Sequence, residues 1–328
     1  MKLTKQIASI FLVVVLFGLF NLSMYQLMTR RLFNNFSSAT QAQMIDVENF
    51  LPHNSNSDLA EVATTFSLTD NLPVLDGAAA LVPVYASVIH NVYPEGSVTF
   101  VGGQFSKDNY YGENFASDSA MQYKNTVRGY KAIVDGDTDV FFCSAPSSEQ
   151  QQYADECGVE LVCVPIGLEA FVFLVNKNNP VDSLTMEQIR KIYSCQYTNW
   201  KEVGGPNRLI NPLTRLEGSG SQTTFEAIMG DYEIGTKSPF AITGASIGFS
   251  FRYYLDGIVG NDMVKMLAIN GVYPSKENVQ NRTYPIVIQF YAIYRADNAN
   301  PNVPLLIDWL LSNEGQTLIE QSGYVRIN

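Results

Sequence analysis

Asn211-Pro-Leu-Thr-Arg-Leu-Glu-Gly-Ser-Gly-Ser-Gln-Thr-Thr-Phe225 reads as a strand end, a Gly/Ser turn and the first turn of a helix continued by Ala227 and Ile228. The first backbone N–H groups of a helix have no intrahelical partner, and the macrodipole concentrates partial positive charge there. Gly218 and Gly220 keep that backbone open, so an anion can approach the amides closely. Ser219 and Ser221 add hydroxyl donors, and Arg215 adds a cation whose forked guanidinium suits a tetrahedral oxyanion. Taken locally, the same string reads first as an ordinary N-capped turn before a helix.

The rest of the chain bounds the choice. Its 328 residues, 46% hydrophobic and 16% charged, are globular in composition and long enough for two domains. A net charge of −11 with no basic stretch excludes nucleic acid as a partner. It does not exclude a small anion, which helix starts and hydroxyls bind locally. Cys143, Cys157, Cys163 and Cys195 lack metal-ligand spacing, and only His53 and His90 accompany them, so no metal and no cofactor are expected. The four cysteines allow three disulfide pairings; Cys143 and Cys163, in apolar runs, also suit buried thiols.

Lys2 and Lys5 precede the apolar run Ile7–Phe20, which is export chemistry. Residues 1–31 are expected to be an export signal or membrane anchor closed by Arg30-Arg31. No Ala-x-Ala follows closely, which favours an uncleaved anchor over a cleaved signal. Either way the bulk of the chain lies on the outer face of the cytoplasmic membrane, or is secreted or periplasmic. Residues 32–69 read as a polar tether with a short helix near Ala42–Phe50 and an idle, solvated His53.

From Leu72 onward strands and helices alternate, which implies an α/β fold with mainly parallel sheets. Strands are expected at Leu72–Leu75, Val98–Val101, Asp139–Cys143, Glu160–Pro165, Glu169–Val175, Ile247–Phe251 and Ile286–Tyr294. Helices are expected at Leu81–Val92, from Thr126 to Gly136, from the Ser147/Gln150 capping box to Gly158, at Met186–Tyr193 behind Thr185/Gln188, and at Pro304–Leu311 and Glu314–Gln321. Gly102–Tyr123 is a long polar stretch. Ligands of open α/β sheets sit at the carboxyl ends of strands, where Ala78–Ala80, Thr126 and Ser144 fall.

Arg215-x-x-Gly-Ser-Gly-Ser-x-x-x-Phe225 resembles the signature of the phosphate-binding receptors that feed ABC transporters. Further strings carry the likeness from about Leu72 to the C-terminus: Gly77–Tyr85, Val181–Ile189, Tyr197–Gly205 and Ile307–Gly315. The resemblance implies a two-lobe, type II periplasmic-binding-protein-like fold. Lobe 1 would be 70–166 plus 286–328 and lobe 2 would be 167–285, each a mainly parallel sheet flanked by helices. It also implies capture of a small oxyanion, phosphate first, for delivery to a membrane permease. Arg215, Ser219, Gly220 and Ser221 carry over from lobe 2, with Ser221 where the family usually has threonine.

Lobe 1 departs from the pattern. The family's hydroxyl residue in the Gly-rich turn falls on Ala79, leaving the amide of Ala80; its helix-start serine falls on Thr126; its proton-accepting aspartate falls on Ser144. A carboxylate only accepts and so favours a protonated anion, whereas serine can donate to a fully ionised one. Altered selectivity is one expectation, and a degenerate site on a surface scaffold or sensor domain is the alternative. Arg128 reads either as a replacement cation or as a solvated charge. No catalysis is expected, since Glu217 breaks any Gly-x-Ser-x-Gly around Ser219 and neither histidine lies near it in sequence.

Overall fold

The structure, a computed structural model, describes residues 15, 17–21, 23, 45–104, 109–215, 217–259 and 262–327. The chain divides into two units, Met1–Gln43 and Met44–Asn328. In the first, the described residues are helical, with Val15, Phe17, Leu19 and Phe20 exposed. The expected export or anchor segment lies mostly outside the described residues. Among the described residues no helix is long and apolar enough to cross a membrane.

The second unit runs β1 (Leu75–Gly77), α1 (Val82–Val92), α2 (Asn125–Asp135), β2 (Val140–Ser144), α3 (Ser148–Glu156), β3 (Leu161–Asn176), β4 (Ser183–Leu184), α4 (Met186–Tyr193), β5 (Ile210–Pro212), α5 (Gly220–Met229), β6 (Ala245–Phe251), β7 (Val264–Met266), β8 (Ala268–Ile269), α6 (Lys276–Gln280), β9 (Val287–Arg295), α7 (Asn302–Leu311) and α8 (Asn313–Gln321). Local chemistry sets several boundaries. Reciprocal capping boxes open α3 at Ser147/Gln150 and α4 at Thr185/Gln188. Gly136, in the left-handed region, closes α2.

The main sheet has the order β1-β2-β9-β3-β6-β5, with β7 also against β3. Parallel pairing, expected to predominate, is found in this sheet at its ends, β1–β2 and β5–β6. The central pairs β2–β9, β9–β3 and β3–β6 are antiparallel. The reason is that β3 and β9 are long crossing strands that run past each other in opposite senses, from Leu161↔Arg295 to Ala170↔Val287. The segments Glu160–Pro165 and Glu169–Val175, expected as two strands, are therefore one strand with a register shift between Pro165 and Gly167. Val98–Val101 is not a strand; Phe100 makes only an isolated bridge to Phe115.

Two large apolar clusters lie along β3. One gathers Leu75, Tyr85, Ile89, Phe142, Ile166 and Leu310. The other gathers Phe171, Phe173, Tyr193, Phe225, Phe249 and Leu168, with Phe225 stacked on Phe249 at 4.3 Å between centroids. The strand thus passes from one core to the other around Gly167. Beside that crossing Glu169 and Arg252 form a buried ion pair at 3.3 Å. Arg252 also donates to the Gly323 carbonyl, and Glu169 accepts from the Tyr253 amide. Burial pushes the Glu169 carboxyl up, against the pull of Arg252.

The stretch expected as a polar tether is, from residue 45, a strap bound to the first core. Ile45, Val47 and Leu68 are buried in it, and Phe50, Leu51, Val62 and Phe66 pack against it. Hydrogen bonds tie the strap to α1: Ala60 N–H to Ser87, Val62 N–H to Asn91 and Leu68 N–H to the Val92 carbonyl. The Thr64 hydroxyl accepts from the Trp309 indole at 3.0 Å and donates to Glu314. His53, expected to be solvated, is half-buried: its backbone N–H donates to Nδ1 of His90 at 3.0 Å, and burial lowers its pKa. Apolar residues are irregularly spaced here because a strap packs without helix or strand periodicity.

Candidate anion-binding site

The Gly/Ser stretch folds as the string suggests. Ser219 is the N-cap of α5, and its Oγ accepts from the Gln222 amide at 3.3 Å. Gly218, with φ +73°, makes the left-handed turn that sets up the cap. The buried Gln222 side chain then accepts from the Arg215 amide at 2.9 Å, fastening the strand exit to the helix start. Ser221 lies half-buried in the first turn.

Across from this turn stand two of the residues assigned to the other lobe. A Cβ at Gly220 would lie 3.1 Å from Ser144 Oγ and 3.8 Å from Thr126 Oγ1. Glycine is thus what lets the start of α5 reach the carboxyl end of β2 and the start of α2 so closely. Ala79 lies in a 3₁₀ turn after β1, and its N–H points to Asn125 Oδ1 at 3.4 Å, beside Thr126. Ala80 is held by its carbonyl, which accepts from the Tyr324 hydroxyl.

Arg215 supplies the charge. Nε and Nη1 of its guanidinium are sealed from solvent and have no hydrogen-bond partner among the described residues. Burial lowers its pKa, and the Tyr254 phenol, on a single π-helical turn Tyr254–Val259, works the other way. A buried guanidinium with idle donors is costly unless an acceptor joins it.

Three neighbours escaped the sequence reading. Asp76, the middle residue of β1, is wholly buried; its Oδ1 accepts from Gly77 N–H at 2.7 Å and Lys124 N–H at 3.0 Å. Burial raises its pKa to about 6, partly offset by Lys124. Asn125 and Gln222 are the other two; each is a polar residue within a few positions of a flagged one, which was the only available signal. Arg128 is neither a replacement cation nor a free surface charge. Its guanidinium donates to the carbonyls of Tyr110 at 2.8 Å and Gly112 at 3.2 Å and pairs with Glu113, pinning the long polar stretch to α2. The four cysteines are free thiols.

Residues 106–314 match the model of the PBP superfamily domain. The chain belongs to the PBP superfamily. Within that superfamily it is 27% identical over 299 residues to protein SphX of Synechococcus elongatus, spanning 79% of this chain and 87% of that one. It is 25% identical over 228 residues to the phosphate-binding protein PstS of Bacillus subtilis, spanning 66% and 73%. A candidate phosphate ABC transporter substrate-binding protein of Clostridium perfringens, solved with bound phosphate, superposes with a TM-score of 0.55 at 23% identity over 80% of this chain and 100% of that one. This last likeness supports the superfamily's two-lobe architecture with a central sheet and flanking helices.

Proposed function

We propose that this chain is an extracytoplasmic receptor that closes over one small oxyanion, phosphate in the first instance, and hands it to the permease of an ABC transporter. The lobes would be 70–166 plus 286–328 and 167–285, joined by the crossing strands, with residues 1–31 holding the chain to the outer face of the membrane. Arg215, Ser219, Gly220 and Ser221 would hold the anion from one side, and Ala79, Ala80, Thr126 and Ser144 from the other. No bond of the guest is broken and no cofactor takes part.

The observation that carries this reading is Arg215, whose enclosed Nε and Nη1 lack acceptors among the described residues. It stands at the head of a turn that presses Gly220 against Ser144. A scaffold with a dead site has no reason to keep such a cation, because every buried unpaired donor lowers stability. The name of the PstS relative, a phosphate-binding protein, adds phosphate as the guest. A thermal-shift panel on the full chain with phosphate, sulfate, molybdate and tungstate tests the proposal. Phosphate at about 100 times its Kd stabilises by about 2.7 kcal/mol and raises Tm accordingly. A flat response to all four anions refutes it.

A further inference from the structure

Asn125 opens α2 in the left-handed region, at φ +61°. Asparagine tolerates that conformation better than other non-glycine residues, because its short side chain bonds locally. Here the side chain folds back over the helix start. Its Oδ1 accepts from Thr126 N–H at 2.8 Å, from Thr126 Oγ1 at 3.4 Å and from Ala79 N–H at 3.4 Å. Two of these partners are amides, which only donate, so the atom facing them is the carbonyl oxygen and not the NH₂ group. Three donors of the first half of the cradle, the Ala79 amide and the Thr126 amide and hydroxyl, therefore converge on one oxygen that belongs to the protein itself. On the other side of the cradle Arg215 keeps two enclosed donors without an acceptor among the described residues.

We infer that Asn125 is an affinity-setting residue of the anion site: its carboxamide oxygen occupies the place of a guest oxygen and must swing aside when the anion enters. This rests on the receptor reading above. The side chain is an internal competitor. It keeps the helix start satisfied in the empty protein and subtracts from affinity, since bonds to Oδ1 are exchanged for bonds to the guest. A neutral competitor of this kind yields to an anion, whose charge-assisted bonds are stronger.

The test is calorimetric titration of the full chain with inorganic phosphate, alongside Asn125→Gly and Asn125→Asp. Glycine accepts the positive φ and removes the competitor; affinity for phosphate is expected to rise about fivefold or more, the equivalent of one net hydrogen bond. Aspartate keeps the geometry but places a negative charge on the same donors, and affinity is expected to fall about tenfold or more. Melting of each variant without anion guards against a merely structural role. That role predicts that Asn125→Gly loses stability and affinity together, whereas the competitor predicts lower stability with higher affinity. Unchanged or weaker phosphate binding by Asn125→Gly, with the parent chain binding normally, overturns the inference alone. Binding by Asn125→Gly and not by the parent supports it. Absence of binding in both refutes the receptor reading and this inference with it.

Discussion

Replacing Arg215 by methionine separates the cost of the site from its use. In the free protein Nε and Nη1 are enclosed and have no hydrogen-bond partner among the described residues, so these two donors are desolvated with no return. An apolar side chain of similar length removes that penalty; replacing even a buried ion pair by apolar residues is neutral or gains about 1–4 kcal/mol, and these two donors have no pairing energy to forfeit. With about 2–4 °C of Tm per kcal/mol for a domain of this size, the variant without anion melts several degrees higher than the parent. Binding moves the opposite way. Each hydrogen bond from a charged donor contributes about 1.5–3 kcal/mol, and two are lost, so phosphate affinity falls about 10²- to 10⁴-fold. Scanning calorimetry with and without phosphate reads both effects in one experiment. The reasoning fails if Arg215→Met is less stable without anion, or if it keeps phosphate affinity within threefold of the parent.

Other residues give independent checks. Burial raises the Asp76 carboxyl from 3.8 to about 6, so the folded state holds its proton more tightly than the unfolded chain. Between about pH 4 and pH 6 this contribution to stability falls as pH rises, by about 3 kcal/mol in all, and it stays low above that window. Asp76→Asn keeps an oxygen for Gly77 and Lys124 and should flatten that part of the curve in urea titrations at pH 4, 6 and 8; an unchanged slope counts against the assignment. Leu68→Ala, in the strap, should cost about 2–4 kcal/mol by chemical denaturation, because Leu68 is 5% exposed; a loss under 0.5 kcal/mol means the strap contributes nothing. Ser144→Asp places an acceptor against Gly220 and should shift competition between phosphate and sulfate toward phosphate by about tenfold or more; an unmoved ratio places Ser144 outside the site.

What the sequence made legible was local. Ser147 with Gln150 and Thr185 with Gln188 are caps whose chemistry spans one turn, and each string dictates its own geometry. The site's backbone followed the same logic, since Gly218 and Gly220 are where glycine is required. What stayed hidden depends on distant partners. The strap reads as polar because its hydrogen bonds go to Ser87, Asn91 and Trp309, up to 245 positions away. The direction of β3 and β9 is fixed by their mutual pairing, which an alternating pattern does not encode. Arg128 looked available because Tyr110 and Gly112 occupy it through their carbonyls, and a carbonyl leaves no mark in a sequence. Asn125 escaped because its significance lies in one positive φ and one folded side chain.

The most direct measurement is a crystal structure of the full chain with phosphate bound. It should place one anion with oxygens about 3 Å from Arg215 Nε and Nη1, in reach of the Gly220 amide and of the Ala79–Thr126 turn, and with Asn125 Oδ1 displaced from Thr126. An anion bound elsewhere on the surface, or an Arg215 turned away to a protein carboxylate while phosphate is present, contradicts the account.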